Sequence, residues 1–187
     1  METNFGKGCP VKRDLCVLWE LDGISRAKLS ELSRQASGSP FLCASFHPHI
    51  TLGCYEQADD RRLQNYVRRF AKGLAPFQVD FEALGLLSRD LPVCFPAFRG
   101  GLREYYFAFH RRFDNYADKW TALSTGLYTP HVSLDCGGGE LDAAAQARLA
   151  ETFAPFSGSA VGLSLSWIRG ENDYEVIATY PFLTEIE

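Results

Sequence analysis

The sequence contains no apolar run near the roughly 18–20 residues of a membrane-spanning helix, so no span is expected. Met1 to Asp14 is polar, with glycine and lysine but no apolar core segment, so no secretory signal is expected. No Cys-x-x-Cys pair occurs among the six cysteines, at 9, 16, 43, 54, 94 and 136. Most of them fall in apolar, strand-like runs and are expected to be buried thiols in a reducing cytoplasm. Charge of either sign is scarce in net terms: 19 basic against 23 acidic side chains leave −4, which excludes a protein that coats polyanions. The residual charge is unevenly spread. Residues 134–187 hold nine acids and two bases, whereas residues 1–133 carry a net +3, so a local surface that reads one phosphate or a short RNA end stays open.

What is present is an ordinary globular mixture. The 187 residues are 46% hydrophobic and 22% charged, enough for one domain spanning 1–187 or two small, closely packed lobes. Leu15, Val17, Trp19 and Leu21 alternate, which predicts a strand over 14–22, and a helix is expected over 24–36. Residues 46–55 read as extended. Asp59 is placed to cap a helix whose apolar positions Leu63, Tyr66, Val67, Phe70, Ala71 and Leu74 follow the 3.6-residue period. Phe77, Val79 and Phe81 alternate in a strand over 76–87.

The cycle then begins again. A strand is expected over 93–98 and a long helix over 102–120, with Tyr105, Phe109, Phe113, Tyr116 and Trp120 forming a core stripe. An extended run over 129–136, a Gly137-Gly138-Gly139 turn, a helix through Leu141, Ala145, Leu149 and Phe153, and two final strands joined near Gly170 complete the chain. The halves share residues as well as order. Ala75-Pro76-Phe77 recurs as Ala154-Pro155-Phe156, offset by 79, and Pro48-His49-Ile50-Thr51-Leu52 recurs as Pro130-His131-Val132-Ser133-Leu134, offset by 82. The expectation is a duplicated α+β unit, with pseudo-repeats over about 14–90 and 91–169 interleaved around a pseudo-twofold and a last strand over 172–182 completing a sheet.

The repeated strings carry the chemistry. Side chains alternate along a strand, so His49 and Thr51 share one face, as do His131 and Ser133, while Ile50, Leu52, Val132 and Leu134 point into a core. Two imidazoles facing each other across a cleft can divide the proton transfers of phosphodiester hydrolysis, one neutral and one protonated. Two hydroxyls can hold the non-bridging oxygens. This arrangement calls for no metal and no cofactor.

The pair of His-x-[Ser/Thr]-aliphatic strings resembles the motifs of the 2H phosphoesterase superfamily, most closely the bacterial proteins described as 2′-5′ RNA ligase-like. The resemblance extends to motif spacing, element order and size. It implies an α+β fold with two antiparallel sheets lining a central cleft and helices outside. It implies His49 and His131 as acid and base, Thr51 and Ser133 as phosphate-binding groups, and opening of 2′,3′-cyclic or related phosphates. In the ligase-type branch an arginine often follows the second motif, whereas this chain has Leu134-Asp135-Cys136.

Further candidate substrate contacts are Tyr55 and Tyr128 beside the motifs, His47 two residues before His49, and Arg99 and Arg103 flanking Gly100-Gly101. Arg61, Arg62, Arg68, Arg69 and Lys72 read first as a solvated helix face and second as a track for an RNA strand. His110 is expected at or near the surface. Cys54 and Cys136 each follow a motif histidine by five residues, an odd spacing that points them away from it on a regular strand and argues against a zinc site. The expectation is a cytoplasmic phosphoesterase acting on a nucleotide or short RNA, without a membrane or a stable protein partner. A 2′-5′ RNA ligase, a cyclic-oligonucleotide phosphodiesterase and a non-catalytic nucleotide- or RNA-end-binding module remain as alternatives.

Overall fold

A computed structural model of the chain describes residues 14–37, 47–56, 59–87, 91–134, 143–170 and 173–183. Five elements form the first half: β1 (Asp14–Leu21), α1 (Gly23–Ser37), β2 (His49–Tyr55), α2 (Asp60–Ala71) and β3 (Phe77–Leu86). The second half repeats their order with β4 (Pro92–Pro96), α3 (Gly100–Phe113), β5 (Val132–Ser133), α4 (Ala143–Thr152) and β6 (Phe156–Gly170), and β7 (Asp173–Pro181) follows. Among the described residues, no helix is long and apolar enough to cross a membrane.

All named strand pairings are antiparallel, and the sheet runs β2-β1-β6-β3-β4-β5, with β7 paired to β6 beside this path. Exchanging the halves turns this order into its own reverse. The first strand of each half pairs with the last strand of the other, and the two last strands meet in the middle. Val79 lies opposite Gly158, its own counterpart at the 79-residue offset of the Ala-Pro-Phe repeat. The two sheets implied by the resemblance are therefore two halves of one hydrogen-bonded sheet. The reason is the length of β6: its first residues pair with β3, and residues 160–168 pair with β1.

The core lies between one face of the sheet and the helices. Leu15, Val17, Trp19 and Leu21 of β1 pack there with Leu29, Leu63, Val67, Phe109 and Phe81. The Asp59 carboxylate accepts from the Arg62 N–H at 3.0 Å, the expected cap of α2. The long helix expected over 102–120 ends instead at Phe113 and gives way to short 3-10 turns. Tyr116 and Trp120, expected in the core, are accordingly 48% and 60% exposed.

The thiol expectation also needs correction. Cys16 and Cys54 are direct register partners on β1 and β2, their Cα atoms 4.3 Å apart, and they form a disulfide. Thirty-eight residues separate them in sequence, so only the strand register brings them together. Cys94 remains a buried thiol, with burial pushing its pKa up to about 12. Cys9, Cys43 and Cys136, the Gly137-Gly138-Gly139 turn, Leu141 and Asp135 lie outside the described residues.

The centre of the sheet leaves no space at Gly158. The Asp22 carboxylate caps α1 by accepting from the Ser25 N–H at 2.7 Å and also accepts from the Ser159 N–H. A Cβ on Gly158 would collide with the Ser25 hydroxyl. Gly158→Ala should destabilise by about 1–3 kcal/mol, as overpacking does, seen in thermal melts as a fall of roughly 2–4 °C per kcal/mol. An unchanged melting temperature would show that the start of α1 yields freely.

Candidate active site

The first motif lies on β2, whose strand pattern is interrupted once. Val17 pairs with Gly53 and Leu18 with Thr51, which leaves Leu52 as an extra residue in a β-bulge. Before the bulge, Ile50 and Leu52 enter the core while His49 and Thr51 are half-buried on the opposite face. The extra residue reverses the alternation. Cys54 joins the face of Thr51, and Tyr55 turns inward, 1% exposed and edge-on to Phe113 at 5.8 Å. Tyr55 is thus a core residue and not a substrate contact. The odd spacing that was to turn Cys54 away from the motif face is offset by the same residue.

Side chains from the second half hold this bulge. The Tyr128 hydroxyl donates to the Thr51 carbonyl at 2.7 Å, and His110 Nε2 lies 2.9 Å from the Leu52 carbonyl. The Tyr128 ring lies flat on Tyr106 at 4.0 Å, and Tyr106 contacts His110 at 4.5 Å. Buried backbone carbonyls need partners, which explains why His110, expected near the surface, is fully buried.

The two motif histidines are held alike. His49 Nδ1 donates to the His47 carbonyl at 2.6 Å, and His131 Nδ1 donates to the Thr129 carbonyl at 2.8 Å. A carbonyl only accepts, so each bond places the proton on Nδ1 and makes Nε2 the basic nitrogen of the neutral ring. β2 lies against β5, and the two imidazoles are within electrostatic reach of each other. Val132 is buried, while His131 and Ser133 stand half-buried on either side of it, with Ser133 opposite Val93.

A cleft of about 550 Å3 opens here, lined by Thr51, Cys54, Leu87, Asp118, Trp120, Thr121, Leu127, Tyr128, Thr129 and His131. No lysine or arginine is among these described lining residues. Tyr128 is therefore at the cleft as expected, although its hydroxyl is engaged by Thr51. Leu127 and Leu87 were not singled out from the sequence, and Trp120 was read as core, because nothing in its helical period signals that the helix has already ended.

The remaining candidates lie elsewhere. Arg99 precedes α3, exposed, and is ion-paired with Asp80 at 2.8 Å and Glu82 at 2.7 Å. Arg103 is exposed on α3, its guanidinium 5.1 Å from the Phe107 ring centre. Neither lines the cleft. Among the α2 bases, Arg62 lies over Phe113 and Arg68 bonds Asn65 on the solvated side of the helix.

His47 stacks beside His49 at 6.1 Å, and its Nε2 meets the Glu20 carboxylate at 2.9 and 3.1 Å. Burial raises the proton affinity of Glu20, but the His47 and Ser164 hydrogen bonds and the nearby imidazoles outweigh it and lower the pKa. Burial disfavours the charged form of His49 and brings its pKa down to about 4. The His47 carbonyl and Glu20 oppose that shift, while His47 and His131 add to it. Burial also lowers the pKa of His131, against the Thr129 carbonyl bond.

Residues 25–94, which hold the first motif, match the family model described as "LigT like Phosphoesterase". No curated protein matches the chain. The fold is similar to that of TT0787 of Thermus thermophilus, with a TM-score of 0.61 at 14% identity over 92% of this chain and 100% of that one. It is similar to Escherichia coli LigT complexed with phosphate, with a TM-score of 0.54 at 14% identity over 92% and 98% of the two chains. The same protein complexed with 3′-AMP gives a TM-score of 0.54 at 14% identity over 92% and 99%. The α+β architecture is thus that of the LigT-like phosphoesterases, and the resemblance to the 2H superfamily read from the two motifs is borne out.

The depressed histidine pKa values have a consequence for stability. The unfolded chain takes up protons near pH 6.5, whereas folded His49 does so near 4 and His131 and His110 below their ordinary value. Stability should be full above about pH 6.5 and fall as the pH drops toward 4. Melting temperatures across that range should show the fall, and His49→Gln should make it shallower. An equally steep fall in His49→Gln would mean that His49 is not held neutral by the fold.

Proposed function

We propose that the chain is a metal-independent phosphoesterase that opens a cyclic phosphate, or hydrolyses a phosphodiester, at a nucleotide or RNA end. The observation that carries this reading is the matched pair of Nδ1–H bonds, which give His49 and His131 the same tautomer in two motifs close enough to sense each other. The solved LigT complexes with phosphate and with 3′-AMP support the choice of ligand class.

In this mechanism one imidazole Nε2 takes a proton from water as the water oxygen bonds to phosphorus. The other, protonated on Nε2, gives its proton to the ribose oxygen as the P–O bond breaks, leaving a phosphomonoester and a hydroxyl. Thr51 and Ser133 donate to the non-bridging oxygens, whose charge grows in the transition state. With no lysine or arginine among the described cleft residues, an imidazolium is the cation that meets the phosphate. Burial favours the neutral form of both rings, and an anionic substrate favours protonation of one of them. Joining a 2′-5′ end reverses the same proton transfers. A cytoplasmic setting belongs to this reading, and because Cys54 lines the cleft in a disulfide, reductant is a variable in any assay.

The test is turnover of a panel: 2′,3′-cyclic mononucleotides, cyclic-phosphate RNA ends, ADP-ribose cyclic phosphate and 2′-5′-linked oligonucleotides, each with and without EDTA and reductant. His49→Ala and His131→Ala should each lower the rate about 10²–10⁴-fold, with the double variant far from the product of the two. Thr51→Ala or Ser133→Ala should cost roughly ten- to a hundredfold, as loss of a hydrogen bond to a charged group does. Activity abolished by EDTA and restored by metal, or folded histidine variants of undiminished activity, would overturn the mechanism.

The pH profiles offer a separate check. kcat/KM reports the empty cleft, so its optimum should lie on the acid side of 6.5, while that of kcat, which reports the substrate complex, should be more alkaline. Coincident optima above pH 7 would contradict proton uptake on binding.

A further inference from the structure

A second cavity adjoins the cleft. It has a volume of about 430 Å3 and is lined by Glu56, Asn115, Tyr116, Ala117, Asp118, Lys119 and Trp120. Asp118 and Trp120 line both cavities, so the 117–121 segment is the wall between them. That wall is built onto β2. The Asp118 N–H donates to the Cys54 carbonyl at 2.8 Å, the Cys54 N–H donates to the Thr121 hydroxyl at 3.0 Å, and Ala117 bridges to Tyr55. The Asp118 carboxylate accepts from the N–H groups of Trp120 and Thr121 and from the Thr121 hydroxyl, at 2.8–3.1 Å. Trp120 is therefore an exposed indole on a fixed turn.

We infer that the second cavity is a nucleoside subsite, and that the ligand is a dinucleotide or longer RNA end whose chain passes Trp120. This inference rests on the proposed function. Thr51 and Glu56 are five positions apart, up to about 16 Å along an extended strand and less across the Leu52 bulge, so a mononucleotide held by its phosphate at Thr51 leaves the Glu56 end of the second cavity to a second nucleoside.

The chemistry of the lining favours a nucleoside over a further phosphate group. Trp120 and Tyr116 offer exposed aromatic faces, 60% and 48% accessible, and bases stack on such faces regardless of sequence. Glu56 and Asp118 are acidic, and the single described cation, Lys119, lies over the Trp120 ring with its Nζ 4.7 Å from the ring centre. A pyrophosphate would meet two carboxylates there, whereas ribose hydroxyls and base amino groups find acceptors.

The experiment is equilibrium binding to the full chain by calorimetry, which needs no turnover. The probes are adenosine 3′-monophosphate, the dinucleotide ApAp with a 3′-phosphate, and ADP-ribose. ApAp should bind at least tenfold more tightly than the mononucleotide, and ADP-ribose should gain no such advantage. Tyr116→Ala should reduce the dinucleotide advantage about five- to a hundredfold, the range for loss of one base–aromatic stack. Equal affinity of ApAp and the mononucleotide, or an advantage that survives both Tyr116→Ala and Trp120→Ala, would overturn the subsite. Failure of the proposed function would appear differently, as ApAp binding without turnover of any substrate in the panel.

Discussion

The pairing of β3 with β6 is the constraint on which the rest of the structure depends. These are the last strands of the two halves, and they meet with Val79 opposite Gly158 at the offset that separates the repeats. Once that register is set, β1 extends one half from β6 and β4 extends the other from β3. β2 and β5 then follow at the ends of the sheet path yet lie against each other, which brings the two motifs together. Neither half could present its histidine to the other if its last strand stayed within its own half.

A second constraint is local and gives the cleft its asymmetry. The extra residue Leu52 puts Cys54 beside Thr51 and sends Tyr55 into the core. Its cost is a pair of carbonyls outside the regular ladder, and Tyr128 and His110 meet them from the other half. Parts of the core and the cleft are thus one network, running from Tyr106 through Tyr128 to the Thr51 backbone. The histidine environments also differ. His49 has the Glu20–His47 pair beside it, whereas His131 is held by Thr129 alone among the described contacts. A duplicated motif can in this way acquire two roles, because equal side chains in unequal fields titrate differently.

The chain also achieves its electrostatics without fixed cations among the described lining residues. Arg99, one of the candidate substrate contacts by sequence, is instead ion-paired with Asp80 and Glu82. The polar side chains of the described lining are the His131 imidazole, the hydroxyls of Thr51, Thr121, Tyr128 and Thr129, and the Asp118 carboxylate on its fixed turn. The apolar part of the lining is Trp120, Leu127 and Leu87.

Much of this was legible in the chain. Alternation along β1 and β3, the capped period of α2 and the two repeated strings defined the element order and named His49, Thr51, His131 and Ser133, because burial imposes periods of 2 and 3.6 on local sequence. The Cys16–Cys54 bridge, the inward turn of Tyr55 and the burial of His110 were not legible, since each depends on a register between distant strands or on one bulged residue that leaves no mark in the periodicity. The fate of the aromatic stripe shows the division most directly. Phe109 and Phe113 obey the helical period, but the helix stops at Phe113, and the same period then carries Trp120 out of the core to the wall of the cleft. Sequence by itself determined which residues can be buried and which can move protons. Tertiary structure decided which of them meet, because hydrogen-bond register and chain reversal are properties of pairs of segments and not of either segment alone.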